Sequence, residues 1–124
     1  MSNPFVHVEL ATTNIKKART FYSKLFRWKL KDIPNKAAGG TYTTIDVGDG
    51  TGGGMMSQMM PGGGSAWMPY VLVSDIDAST KKAKQLGAKI CKGVTEVEDM
   101  GWLSIFVDPT GAMIGLWEPK KTKK

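Results

Sequence analysis

The chain has 124 residues, 41% of them hydrophobic and 23% charged, the proportions of a single water-soluble globular domain. The lone cysteine, Cys91, excludes an internal disulfide, and one cysteine with one histidine excludes a zinc finger or other Cys-rich structural metal site. The net charge of +6 is concentrated at the C-terminus, where Lys120, Lys121, Lys123 and Lys124 form a basic tail over 120–124. Such a tail reads as a solvated end rather than a nucleic-acid surface, because no stripe of Lys and Arg interleaved with aromatics occurs elsewhere.

The first predicted element is "FVHVEL", whose alternation sends Val6, Val8 and Leu10 to one face and Phe5, His7 and Glu9 to the other. A helix follows, with Thr13 or Asn14 as its cap and an apolar stripe of Ile15, Ala18, Phe21, Tyr22, Leu25 and Phe26. Phe21 and Tyr22 are assigned to the core. "WKLKDI" is a short strand and "TYTTIDV" a stronger one, rich in β-branched residues. Another strand begins after Gly52.

The glycines of "GDGTGGGMMSQMMPGGG" satisfy G-x-G-x-x-G at Gly48, Gly50 and Gly53. No capped helix follows and no Gly-Lys-Ser/Thr is present, so a nucleotide cradle gives way to a hairpin turn. The glycines at 52 to 54 then lie in a strand, where a missing side chain lets a ligand or another strand approach the backbone. "MMSQMM" suits either an adaptable ligand surface or a plain strand and dimer contact.

The second half repeats the first at a shift of 61 residues. Asn14-Ile15 falls on Asp75-Ile76, Leu25 on Leu86, Gly40 on Gly101 and Gly54 on Gly115. "PYVLVS" is a strand, Asp75 or Asp77 caps "ASTKKAKQL", and Gly87 stops that helix. "AKICKG", "GWLSIFVD" and, after a "PTG" turn, "AMIGLWE" complete it, with Cys91 expected buried and inert. The prediction is one α+β domain over 1–120, with one βαβββ module over about 1–60 and another over about 66–119.

The segments "HVELATTNIKKARTFYSKLF", "YVLVSDIDASTKKAKQLGAKI" and "GWLSIFVDPTGAMIGLWE" resemble the glyoxalase / bleomycin-resistance / dioxygenase group, the vicinal oxygen chelate superfamily, along nearly the whole chain. Among its members, the chain is most similar to small proteins described as related to lactoylglutathione lyase. The resemblance implies paired βαβββ modules forming an incomplete barrel around a concave pocket, helices outside, and a homodimer. It also implies four metal-ligand positions, on the first and last strand of each module. Carried over, these are His7, Gly54, Met68 or Pro69, and Gly115. Only His7 matches, and one imidazole cannot hold a divalent ion that needs three or four donors.

The expectation is therefore a metal-free pocket for a small apolar or aromatic molecule. Its candidate lining is His7, Glu9, Thr44, Gly54, Met56, Met68, Trp102, Met113, Gly115 and Trp117. His7 and Glu9 are the catalytic candidates. The imidazole can act as a base or hydrogen-bond a ligand, with Glu9 orienting it. The bland alternative is a strand histidine bonded to Glu9, Thr44 or backbone. No cofactor is expected. The alternatives are a metal-dependent lyase, isomerase or dioxygenase using zinc, nickel or iron, and a metal-free acid/base enzyme. The expected partners are a small-molecule ligand and a second copy, with nucleic acid disfavoured. No run of about 20 apolar residues and no leader pattern is visible, so a cytoplasmic protein without a membrane partner is expected.

Overall fold

A computed structural model describes residues 2–35, 40–58 and 62–120. The chain forms two compact units, an N-terminal unit of 7–68 and a C-terminal unit of 1–6 with 69–124. The last two methionines of "MMSQMM", Pro61 and residues 121–124 of the basic tail lie outside the described residues.

The first module runs β1 (Phe5–Thr12), α1 (Ile15–Leu25), β2 (Lys29–Asn35), β3 (Gly40–Asp46) and β4 (Gly53–Ser57). The second runs β5 (Ala66–Leu72), α2 (Ile76–Gln85), β6 (Lys89–Val97), β7 (Gly101–Val107) and β8 (Met113–Pro119). Both are βαβββ. In the first, β2–β3 and β3–β4 are antiparallel and β4 returns parallel to β1. In the second, β6–β7 and β7–β8 are antiparallel and β8 lies parallel to β5. The registers correspond. Glu9 stands across from Gly54, and Tyr70 across from Gly115, each pair one 61-residue repeat from the other.

Local chemistry starts and stops these elements. Asn14 caps α1, its side-chain oxygen accepting from the Lys17 N–H at 2.9 Å, and Asp75 caps α2 by accepting from Ala78 at 3.1 Å. Gly87 leaves α2 at φ +105°, a conformation that a Cβ opposes. The β7–β8 turn is built on Asp108, whose Oδ1 accepts from the Thr110 N–H and hydroxyl, both at 2.7 Å, and from the Ala112 N–H at 3.1 Å. These bonds hold the Asp108 carboxyl below its usual range, the Thr110 hydroxyl first among them.

Each unit has its own core. Leu10, Ile45 and Met55 are buried in the N-terminal one, with Ala18, Tyr22, Trp28, Leu30 and Val47 packed against them. Val73, Ile76 and Leu116 form the other, joined by Val71, Trp102 and Phe106. The Thr80 and Ser104 hydroxyls, 2.8 Å apart, tie α2 to β7, and Glu118 Oε1 accepts from the Ile76 N–H at 2.9 Å. Among the described residues, no helix is long and apolar enough to cross a membrane.

Two packing expectations are corrected. Phe21 is 58% exposed, because Tyr22, one helical step round, takes the core-facing position and meets Phe21 edge-on at 5.0 Å. Cys91 is exposed rather than buried, because the β6–β7 register shifts between Ile90 and Lys92 and leaves residue 91 in the irregularity.

Glycine at 53 is a steric requirement: a Cβ there would overlap the Val8 carbonyl on β1. Gly53→Ala is expected to cost about 1–3 kcal/mol of unfolding free energy, the range for overpacking. Gly64→Ala, at a position with open space around it, should be close to neutral by the same denaturant titration. A second prediction concerns pH. Because folding lowers the Asp108 pKa, the carboxylate's contribution is fully present above its ordinary value of 3.8 and fades as pH falls through the lowered one. Asp108→Ala should therefore melt below the parent at neutral pH, and the gap should close in strong acid.

Candidate functional site

Strand alternation divides the N-terminal sheet into two faces. Val8 and Leu10 of β1, Thr43 and Ile45 of β3, and Gly53 and Met55 of β4 lie on the α1 side. His7 and Glu9, Tyr42 and Thr44, and Gly54 and Met56 lie on the other. That second face carries the polar cluster. The Tyr42 hydroxyl donates to Glu9 Oε1 at 3.0 Å, and its oxygen lies 2.8 Å from His7 Nε2. His7 Nε2 and Glu9 Oε1 are 3.8 Å apart. Glu9 is 6% exposed, whereas the His7 side chain is 31% exposed. One end of the cluster is thus buried and the other meets solvent.

Gly54 explains how Tyr42 gets there. A Cβ at 54 would fall on the Tyr42 ring and hydroxyl. The room left by the missing side chain is filled by a phenol. The C-terminal unit repeats the device, since a Cβ at Gly115 would fall on the Tyr70 ring, which is 2% exposed. Sequence reading singled out both glycines, as metal-ligand positions and as pocket lining, but did not bring Tyr42 to Gly54. The available signal was diagonal: Thr44 pairs with Gly54, so Tyr42, two residues along on the same face, can lean across.

The other candidates are distributed as follows. Thr44 shares the face of His7, but its hydroxyl donates to the Lys31 carbonyl at 3.1 Å. Met56 is half-buried on β4, and Met68 shares its face of β5 with Tyr70 by alternation. The same alternation, with the equivalent registers, makes Met68 and not Pro69 the counterpart of His7. In the C-terminal unit Met113, Gly115 and Trp117 share a face, opposite Val107, Ile105 and Leu103. Trp102 does not join them. It pairs with Glu118, which turns it to the α2 side, where it packs on the core with the Lys120 ammonium 5.4 Å from its ring centroid.

An apolar cleft of about 250 Å³ lies on the α1 side of the N-terminal unit, lined by Val8, Trp28, Ile45, Val47, Thr51, Gly52, Gly53 and Trp67. It is separated by the sheet from the polar cluster. None of the residues lining this cleft is titratable.

The family scan matches residues 5–116 to the Glyoxalase/Bleomycin resistance protein/Dioxygenase superfamily. The chain belongs to that superfamily. It is 32% identical over 118 residues to "Putative glyoxylase CFP32" of Mycobacterium tuberculosis, covering 92% of this chain and 45% of the relative. It is 27% identical over 127 residues to the anthracycline biosynthesis protein DnrV of Streptomyces peucetius, covering 88% and 44%. The chain thus spans about half the length of the curated relatives it matches. Among solved structures, hypothetical protein BH1468 of Bacillus halodurans superposes with a TM-score of 0.75 at 16% identity, covering 100% of this chain and 99% of that one. Methylmalonyl-CoA epimerase of Mycobacterium tuberculosis gives 0.70 at 18%, covering 94% and 88%. These likenesses establish the glyoxalase-like α+β fold.

The donor set does not fit the metal that many superfamily members use. The four corresponding positions hold an imidazole, a thioether and two glycines, and an aromatic ring lies over each glycine. Among the described residues, no three of His, Cys, Asp and Glu gather closely enough to hold an ion.

The overlap at Gly54 can be measured as a coupling. Gly54→Ala should destabilise by about 1–3 kcal/mol because the new methyl displaces the Tyr42 ring. In a Tyr42→Ala background most of that cost should disappear, so a double-mutant cycle by denaturant unfolding should be strongly non-additive. Additive effects would place the clash elsewhere.

Proposed function

We propose that this chain binds a small, apolar or aromatic organic molecule without a resident metal, with His7 and Glu9, joined through Tyr42, as its polar anchor. One observation carries the reading: the two glycines at metal-ligand positions are each overlain by a tyrosine ring, in a chain that keeps only His7 of the usual donors. A protein without ligands for an ion can still hold an organic molecule by apolar contact plus a few placed polar groups. The name of the Streptomyces relative, an anthracycline biosynthesis protein, supports a small molecule rather than a macromolecule as the ligand.

The competing reading is a metal-dependent lyase, isomerase or dioxygenase, favoured by the name of the mycobacterial relative. It would require an ion held by His7, Glu9 and a third donor. Placing one there means breaking the two contacts of the Tyr42 oxygen, and a neutral phenol is a poor replacement for a carboxylate ligand.

The two readings part on a metal-retention experiment. Protein stripped with chelator, refed separately with Zn²⁺, Ni²⁺ and Fe²⁺ and desalted should retain far less than one equivalent of each. Mass spectrometry of the native protein before and after denaturation should release an organic molecule. His7→Ala should weaken rebinding of that molecule by about tenfold, the loss of one anchoring hydrogen bond. Stoichiometric tight metal, with isomerisation of a hemithioacetal or ring cleavage dependent on it, would overturn the proposal.

A further inference from the structure

The apolar cleft across the sheet from His7 has no part in the function proposed above. It encloses about 250 Å³, and its residues all fall within the N-terminal unit. Ile45, only 4% exposed, joins it to the core. At Gly52 and Gly53 the lining is bare backbone, against which a flat ring can lie closely.

Two indoles complete the lining. The ring centroids of Trp28 and Trp67 are 6.1 Å apart, with their planes at 79°. Tyr22 fixes both. Its ring stacks on Trp28 at 5.6 Å and meets Trp67 edge-on at 5.4 Å, and its oxygen accepts from Trp67 Nε1 at 3.3 Å. The indoles therefore form a right-angled corner that is set before anything binds, which lowers the ordering cost of binding. Trp67 is nonetheless 39% exposed, a large apolar surface left in contact with water.

Size and charge narrow the occupant. Drug-sized ligands occupy pockets from about 300 Å³ upward, and an apolar cavity of about 150 Å³ takes benzene. A cleft between those limits suits two fused rings. The lining has no titratable group, and Thr51 supplies its one hydroxyl, so a charged ligand would lose water without gaining a partner. A stable protein interface uses about 20–30 residues a side, far more than line this cleft, which argues against a second copy as the occupant.

We propose that the Trp28–Trp67 corner is a separate binding site for an uncharged, flat aromatic molecule of two fused rings. It depends neither on the metal-free reading nor on the His7 cluster, because the sheet lies between them.

Indole is the probe. In ¹⁵N-labelled protein titrated with unlabelled indole, the four tryptophan side-chain N–H signals report separately, once assigned by single Trp→Phe variants. Trp28 and Trp67 should shift saturably, with a Kd of about 1 mM or tighter, while Trp102, Trp117 and the His7 ring stay in place. An indole carboxylate, with the same rings and a charge, should bind at least about tenfold more weakly. Trp67→Ala should weaken indole binding by at least about tenfold, and should it fail to fold, the shifts in the parent protein decide alone. No saturation by about 10 mM indole, or shifts centred on His7, overturns the site. Trp28 and Trp67 signals that move with protein concentration rather than with indole assign the corner to a second copy and overturn it too. Equal affinity for the carboxylate overturns the uncharged class, and unchanged affinity in a folded Trp67→Ala overturns the corner.

Discussion

The polar chemistry of this protein depends on one missing side chain. Any Cβ at position 54 would occupy the space of the Tyr42 phenol, so only glycine lets β3 send a ring across β4 to reach β1. Glycine weakens a strand entropically and gives it nothing to pack. In β4 the cost is offset on both faces. At Gly53 the backbone of β1 can approach closely, and at Gly54 a ring from the neighbouring strand covers the gap with far more apolar surface than an alanine would bury.

The two modules apply the same steric rule to different chemistry. Glu9 and Tyr70 occupy equivalent places on the first strands, as do Gly54 and Gly115 on the last. In the C-terminal unit the ring over the glycine comes from the directly paired residue, Tyr70. In the N-terminal unit the directly paired residue is a carboxylate, which cannot fill the space, and the ring comes instead from β3. That difference leaves the N-terminal unit with the linked histidine, phenol and carboxylate. Its counterpart has a methionine at the place of His7. Repetition supplied the geometry twice, and side-chain identity made one copy polar.

Much of the fold was legible because period and punctuation are local. Alternation identified the strands, a short polar residue before each apolar stripe marked the helix starts, and Gly87 marked a stop. The 61-residue repeat then announced a second module of the same plan. What was not legible depended on registers between distant strands. Trp102 has the composition of a pocket wall, but its face is decided by pairing with Glu118, and a shift of one residue would have reversed it. The exposure of Cys91 comes from an irregularity in β6 that no local pattern announces. Tyr42 was overlooked as the hub because its partners, His7 and Glu9, are more than thirty residues away and it reaches them diagonally. The shared face of His7 and Glu9 was therefore legible, and their hydrogen bonds to Tyr42 were not.

Burial of Glu9 explains why that arrangement is a relay rather than a simple ion pair. A carboxylate only 6% exposed has lost most of its water, and leaving it without donors would be expensive. A lysine or arginine at position 42 could neutralise it, but would place a second charge in the same dry environment, where desolvation often cancels the Coulombic gain. A phenol avoids the second charge. It donates one strong hydrogen bond to the carboxylate while its ring packs over Gly54. Its oxygen also lies 2.8 Å from Nε2 of His7, which is more exposed than Glu9. The imidazole is thereby linked through the phenol to an acid that scarcely touches solvent.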